Sequence, residues 1–285
     1  MAESESFDYA ALWQGHGAEV ADILSSAREA WTAASPLYEQ VEGIVAGTPG
    51  LAQFDVDLAE NPQNTVSFDI TLPDGRVLEK PGNLFGITES TLWGTFAAFS
   101  SGTEADLSGD RQLQFGEVLP EANVLRGGAA LLVQKVSELR TAGSAWRPTE
   151  TDAFTALVVM VPTMSEYFAS WRDSRFVAGK ASVQRDFVAV SRLADIQDIL
   201  SGLQVVLTGM TPQINTVDAA QGAQIAGRLE NLKSYVSEIY EAERSGKRFS
   251  AEEAAILGAE AQDRATAITG QVVQVAGVLG VTVGN

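Results

Sequence analysis

The sequence predicts an all-α fold: a helical bundle of two helical halves, with a small β-hairpin inserted between helices. Three observations carry that expectation. Apolar residues recur at a spacing near 3.6 along six or more segments, as in helices that bury one face. One segment alternates apolar and polar residues around a Pro73-Asp74-Gly75 turn, the pattern of a hairpin. Hydrophobic residues make up 45% of the 285, enough for a real core and too many for disorder. No short solenoid-type repeat is found. A change of style near residue 120 divides a single domain, 1–285, into two parts. These are an N-terminal half over 10–118, with the hairpin at about 65–80, and a C-terminal helical half over 119–285.

The first helix is expected over 16–46, where Val20, Ile23, Leu24, Ala27, Trp31, Leu37, Val41 and Ile44 share one face. Gly47 and Pro49 end it, and Pro36 predicts a kink or break near Ser35. The stretch FDVDLAENPQN reads as an acidic loop carrying Asp55, Asp57 and Glu60. Val66, Phe68, Ile70 and Leu72 alternate with small or polar residues, and Val77 and Leu78 follow the turn. A short helix is expected from about 88 to 99, then a loop over SSGTEADLSGDRQ. From about residue 120 five helical segments follow. The second of them contains Pro162, and the fifth opens with the capping box Ser250 to Glu253.

Composition excludes several chemistries. The chain has no cysteine, so disulfides, thiolate metal sites and cysteine nucleophiles are ruled out. It has one histidine, His16, so a zinc site needing two or three histidines is ruled out as well. No G-x-S-x-G accompanies that histidine. A metal site here would be mostly oxygen and would favour hard cations. The formal charge of −18, from 19 basic and 37 acidic residues, opposes nucleic acid and anionic membranes. No run of eighteen apolar residues occurs, so no direct membrane insertion is expected. The opening MAESESFDY lacks the features of a secretory leader and reads as a mature N-terminus with an added Met. The lack of cysteine fits a periplasmic or secreted protein.

Each candidate residue has a structural reading beside a functional one. His16, between Gly15 and Gly17, forms an H-x-x-E with Glu19, which is either a frayed surface helix end or, with a distant acid, part of a metallopeptidase site. Trp31, Ser35, Tyr38 and Glu42 fall at steps of four, three and four, so they form one stripe. In that stripe Glu42 either reaches solvent or turns its carboxylate inward, with the Tyr38 phenol one turn away. Asp55, Asp57 and Glu60 are solvated loop acids, or acids placed over a site. Glu89 stands three, four and seven residues before Leu92, Trp93 and Phe96. It is either a first-turn acid helped by the helix dipole or half of a metal site. The second alternative requires Glu42 and Glu89 to converge, because two buried carboxylates repel unless a cation lies between them. Glu238/Glu241, Glu252/Glu253 and Asp195/Asp198 are expected on solvated helix faces.

The stretch AREAWTAASPLYEQVEGI, residues 27–44, resembles the first-helix signature of the imelysin-like family, especially its EfeO-type periplasmic iron-uptake proteins. LRGGAALLVQKVSELR is similar to the Gly-Gly-Ala helix that opens the family's second half. VVQVAGVLGV is similar to its terminal helix. The family hallmark, Gly-x-His-x-x-Glu followed by Leu-aromatic-Gly, corresponds to FGITESTLWG. Glu89 and Leu92-Trp93-Gly94 match, and Gly86 stands where the histidine belongs. The first-helix arginine position falls on Ser35. The resemblance implies a metal site of Glu42, Glu89, Asp57 and Tyr38, holding iron or, as a second choice, calcium. It implies a periplasmic or secreted protein associated with iron uptake, with a membrane iron-transport partner. Family members are called peptidases in places, but the residues show no hydrolytic machinery, so a non-catalytic protein is expected. The competing implication is a degenerate member that binds a polysaccharide or protein partner without metal.

Overall fold

A computed structural model describes residues 7–59, 65–182 and 184–284. Eight α-helices and two small antiparallel strand pairs make up the described chain, so the molecule is a helical bundle with β insertions. Helix α1, Tyr9–Val45, starts at Asp8, whose carboxylate caps the Ala11 N–H at 2.9 Å. The expected break at Pro36 does not occur. Pro36 lies inside α1, and the one non-helical residue is His16 (φ −136°, ψ 24°), between Gly15 and Gly17. Those two glycines weaken the helix more than a proline does here. The Thr32 carbonyl, which loses its partner to the proline, belongs to an exposed residue where water can replace it.

The acidic loop after α1 is partly helical: α2 spans Ala52–Leu58 and buries Asp55, Asp57 and Leu58. Glu60 lies outside the described residues. Strand β1, Ile70–Thr71, pairs with β2, Val77–Leu78, across the Pro73-Asp74-Gly75 turn as expected. Helix α3 spans Leu84–Leu92, starting and ending earlier than expected. Asn83 sets its start by accepting the Gly86 N–H at 2.6 Å. Gly94, at φ +59°, sets its end. Glu89 is therefore in the second turn of α3, not the first.

The loop expected after α3 contains a second strand pair, β3 (Ser100–Glu104) with β4 (Val118–Pro120). The residues between them fold around Asp106, which accepts the N–H groups of Gly109 and Arg111. Glu117 accepts those of Ser108 and Gln114. Such local side-chain to backbone bonding leaves no apolar periodicity in the sequence.

Helix α4 (Ala122–Ala145) is followed by α5 (Glu150–Met160), a 3₁₀ turn at Val161–Thr163 around Pro162, and α6 (Met164–Asp173). By composition Glu150–Asp173 is long and apolar enough to cross a membrane. Its Phe154, Leu157, Phe168 and Trp171 are nevertheless buried in the core. Helix α7, Arg192–Arg244, joins the third and fourth expected helices, with an extended residue at Asp218. Helix α8, Ala251–Leu279, carries the expected capping box of Ser250 and Glu253 and ends on left-handed Gly280.

The apolar interior falls mainly into two clusters. One joins Tyr38 of α1 to the hairpin, α3 and the start of α4. The other joins α5 to α8 around Phe154, Phe168, Trp171 and Leu203. Helix α4 packs with the first, through Val124, although its sequence position is beyond residue 119. Helices α1 and α7 connect the clusters, and glycines let them approach closely. A Cβ on Gly202 would stand 2.2 Å from the Gln40 carbonyl, and one on Gly43 would stand 3.0 Å from Leu203. This approach brings the buried face of α1 against the first turns of α7.

Candidate functional site

The stripe read on α1 is real. Trp31, Ser35, Tyr38 and Glu42 are all buried, and Glu39 joins them at 1% exposure. Facing them, the first turn of α7 contributes Arg192 and Asp195, also buried. The Arg192 Nη1 lies 3.3 Å from Glu39 Oε2 and 3.7 Å from Asp195 Oδ2, and its Nη2 lies 3.5 Å from Glu42 Oε1. The guanidinium is held between aromatic faces, 4.2 Å from the Tyr167 ring centroid and 4.4 Å from that of Phe187. The Tyr167 hydroxyl donates to Glu42 Oε1 at 3.1 Å.

Three buried carboxylates cannot all be ionised beside one cation. Burial, with Glu42 and Asp195 as neighbours, holds the Glu39 pKa well above the carboxylate range, and Arg192 only partly offsets this. Burial raises Asp195 to about 8, against the lowering effect of Arg192. Burial would lower Arg192, but Glu42 and Glu39 outweigh it and raise its pKa further. Asp195 is therefore mostly protonated at neutral pH, and burial pushes Glu39, which hydrogen-bonds to Glu42, in the same direction.

Glu89 is buried in a different cradle. Its Oε1 accepts the N–H groups of Ala189 (2.9 Å) and Val190 (3.3 Å), and its Oε2 accepts that of Val188 (3.1 Å). Burial raises its pKa to about 7. The Ala189 and Val188 N–H groups oppose the rise, and neighbouring Asp186 adds to it. Glu89 thus fastens the segment before α7 onto α3. Asp57 forms a third arrangement. It accepts the Ser67 N–H (2.6 Å) and hydroxyl (2.5 Å) and pairs with Lys135 at 2.9 Å. Burial raises its pKa, but the bonds from Ser67 and Lys135 outweigh that and leave it below the usual range. Tyr38 donates to Asp55 at 2.7 Å. Asp55 and Glu42 line a common cavity of about 220 Å³ with Asp186 and Arg192.

Of the four expected ligands, Tyr38 and Glu42 come together, through Asp55 and that cavity. Glu89 is engaged by backbone, and Asp57 by Ser67 and Lys135. Asp195 is a correction: expected on a solvated face, it is 2% exposed in the Arg192 cluster. His16 is a surface residue, its side chain 63% exposed and 3.5 Å from Glu19. Sequence reasoning missed Glu39, Asp186 and Arg192. One signal was present: Arg192, Asp195 and Ile199 fall at i, i+3 and i+7, on the apolar face of α7.

Helices α1 and α7 meet at this buried cluster of carboxyl groups and one arginine within an all-α bundle. The chain belongs to the imelysin family, a peptidase-named family whose model matches residues 17–272. No curated protein and no solved structure matches it.

The metal implied by the family does not fit the residues present. Arg192 already supplies the positive charge next to Glu42, and a metal beside it would meet cationic repulsion. Among the described residues, no group of three or more His, Cys, Asp or Glu side chains could hold a metal ion. The position of the missing histidine is closed too, since a Cβ on Gly86 would stand 1.7 Å from Asp186 Oδ1. Gly86→Ala should therefore destabilise the protein by about 1–3 kcal/mol, as overpacking does. Adding Asp186→Ala should return part of the loss, measured by urea denaturation. Equal stability of Gly86→Ala and the parent would mean that Asp186 moves aside freely.

Proposed function

We propose that this is a non-catalytic, metal-independent binding protein of the imelysin family, working in the periplasm or outside the cell. The observation that carries this reading is the buried Arg192, which takes the place of a cation among Glu39, Glu42 and Asp195. A side chain is always present and cannot be removed by a chelator, so the cluster needs neither iron nor calcium for charge balance. Exposed His16 and the absence of cysteine leave the buried cluster with no histidine base and no cysteine nucleophile. Any part in iron uptake, including contact with a membrane transport partner, would then run through a bound ligand or protein. The lack of cysteine fits the periplasmic or secreted placement.

Calorimetric titration with ferric, ferrous and calcium ions tests the reading. The parent protein should give no saturable heat, and Glu42→Ala and Glu89→Ala should not differ from it in this respect. Saturable binding by the parent that disappears in Glu42→Ala would overturn the proposal and restore the metal site.

A further inference from the structure

A cavity of about 1050 Å³ opens between α1, residues 175–180 and 189–191, the first turns of α7 and the end of α7. It is lined by Ala189 and Val190, whose N–H groups hold Glu89, but not by Glu89 itself. Its charge is opposite to that of the molecule. Arg175, Lys180, Arg244 and Arg248 line it, four of only 19 basic residues, against the acids Asp198 and Glu243.

The four cations are not equally engaged. Arg175 donates from Nε to the Val188 carbonyl and lies against the Phe115 and Phe176 rings, 4.0 and 4.5 Å from their centroids. Arg244 pairs with Glu241 at 3.2 Å. Among the described residues Lys180 and Arg248 make no hydrogen bond or ion pair, and both are exposed at the mouth. Glu243 is turned to the core, where it accepts the Trp171 indole N–H at 2.6 Å. Burial lowers the Arg175 pKa, Glu89 and then Glu243 oppose the fall, and Arg248 adds a smaller push downward.

We propose that this cavity binds a small organic anion carrying two or more carboxylate or phosphate groups. The volume is that of a ligand site, far larger than a single inorganic ion fills. Phe176 and Tyr240 add aromatic surface for the body of the ligand, and the arginines present forked donors to its charged groups. A long anionic polymer is disfavoured, because beyond the mouth it would meet the −18 surface. The inference rests on the metal-independent reading only in that the ligand is to bind without a metal.

The test is calorimetry with tricarballylate and pyrophosphate as probes and sucrose as the uncharged control. The protein is first treated with a chelator and dialysed into low salt. At least one anion should bind and sucrose should not. Lys180→Ala and Arg248→Ala, which remove no intramolecular bond, should each weaken binding by about tenfold, the loss of one charged hydrogen bond. High salt should weaken it as well. No binding of either anion, or unchanged affinity in the Lys180→Ala/Arg248→Ala variant, would overturn the inference. Anion binding that appears only after metal is restored would overturn both this inference and the metal-independent reading.

Discussion

Replacing Arg192 with methionine should destabilise the protein by about 3–5 kcal/mol at neutral pH, the range for removing one partner of a buried ion pair. The volume is largely conserved, so the loss comes from charge. Glu39, Glu42 and Asp195 would share a buried space with no cation nearby, and the Tyr167 and Phe187 faces would lose the group held between them. The cluster can respond only by taking up another proton, so the deficit should shrink in acid and grow in base. Urea denaturation at pH 5.5 and 8 measures this. Adding Glu42→Gln should recover part of the stability at pH 8, because it removes one of the three carboxyl groups left without a cation. A loss below about 1 kcal/mol at both pH values would show that the guanidinium is not the balancing charge, and the proposed function would fail with it.

The sequence makes the architecture legible where burial is periodic. The face of α1 from Trp31 to Glu42, the hairpin around Pro73-Asp74-Gly75 and the Ser250 cap of α8 all depend on residues within a few positions of one another. Local steric and hydrogen-bonding rules are enough to specify them. The elements that escape reading are held by side chains reaching backbone. Asn83 moves the start of α3, and Asp106 and Glu117 fold the segment between β3 and β4. The candidate site shows the same division. Tyr38 and Glu42 can be placed together from their spacing on one helix. The partner of Glu42 lies 150 residues away, and nothing local to Glu42 identifies it. Glu89 illustrates the limit from the other side. Its burial follows from helical spacing, but its ligands are three consecutive main-chain N–H groups, which carry no sequence identity. A carboxylate fated for such a cradle looks, in sequence, like one fated for a metal.

Stability should fall as pH rises from about 5 to about 8, opposite to the usual acid lability of salt-bridged carboxylates. Glu89 is raised from 4.5 to about 7 in the fold, chiefly by burial, and Asp195 from 3.8 to about 8, again chiefly by burial. Between the unfolded and folded values the native state keeps a proton that the unfolded chain has lost. The native state then binds more protons, so stability decreases with increasing pH. The full contribution is present below the unfolded values and is gone once pH exceeds the folded ones. For Glu89 alone the shift corresponds to roughly 3 kcal/mol, at about 1.4 kcal/mol per pKa unit. The excess negative charge of the chain acts in the same direction, so the parent profile alone does not isolate the site. Glu89→Gln does. Its amide nitrogen cannot accept from the backbone N–H groups, so the variant should be less stable in acid, where the parent's carboxyl is neutral and keeps more of these bonds. Its stability should nevertheless decline less steeply between pH 5 and 8, since the titrating group is gone. Parent and Glu89→Gln profiles that run parallel would mean that Glu89 stays charged in its cradle, with the three N–H groups outweighing burial.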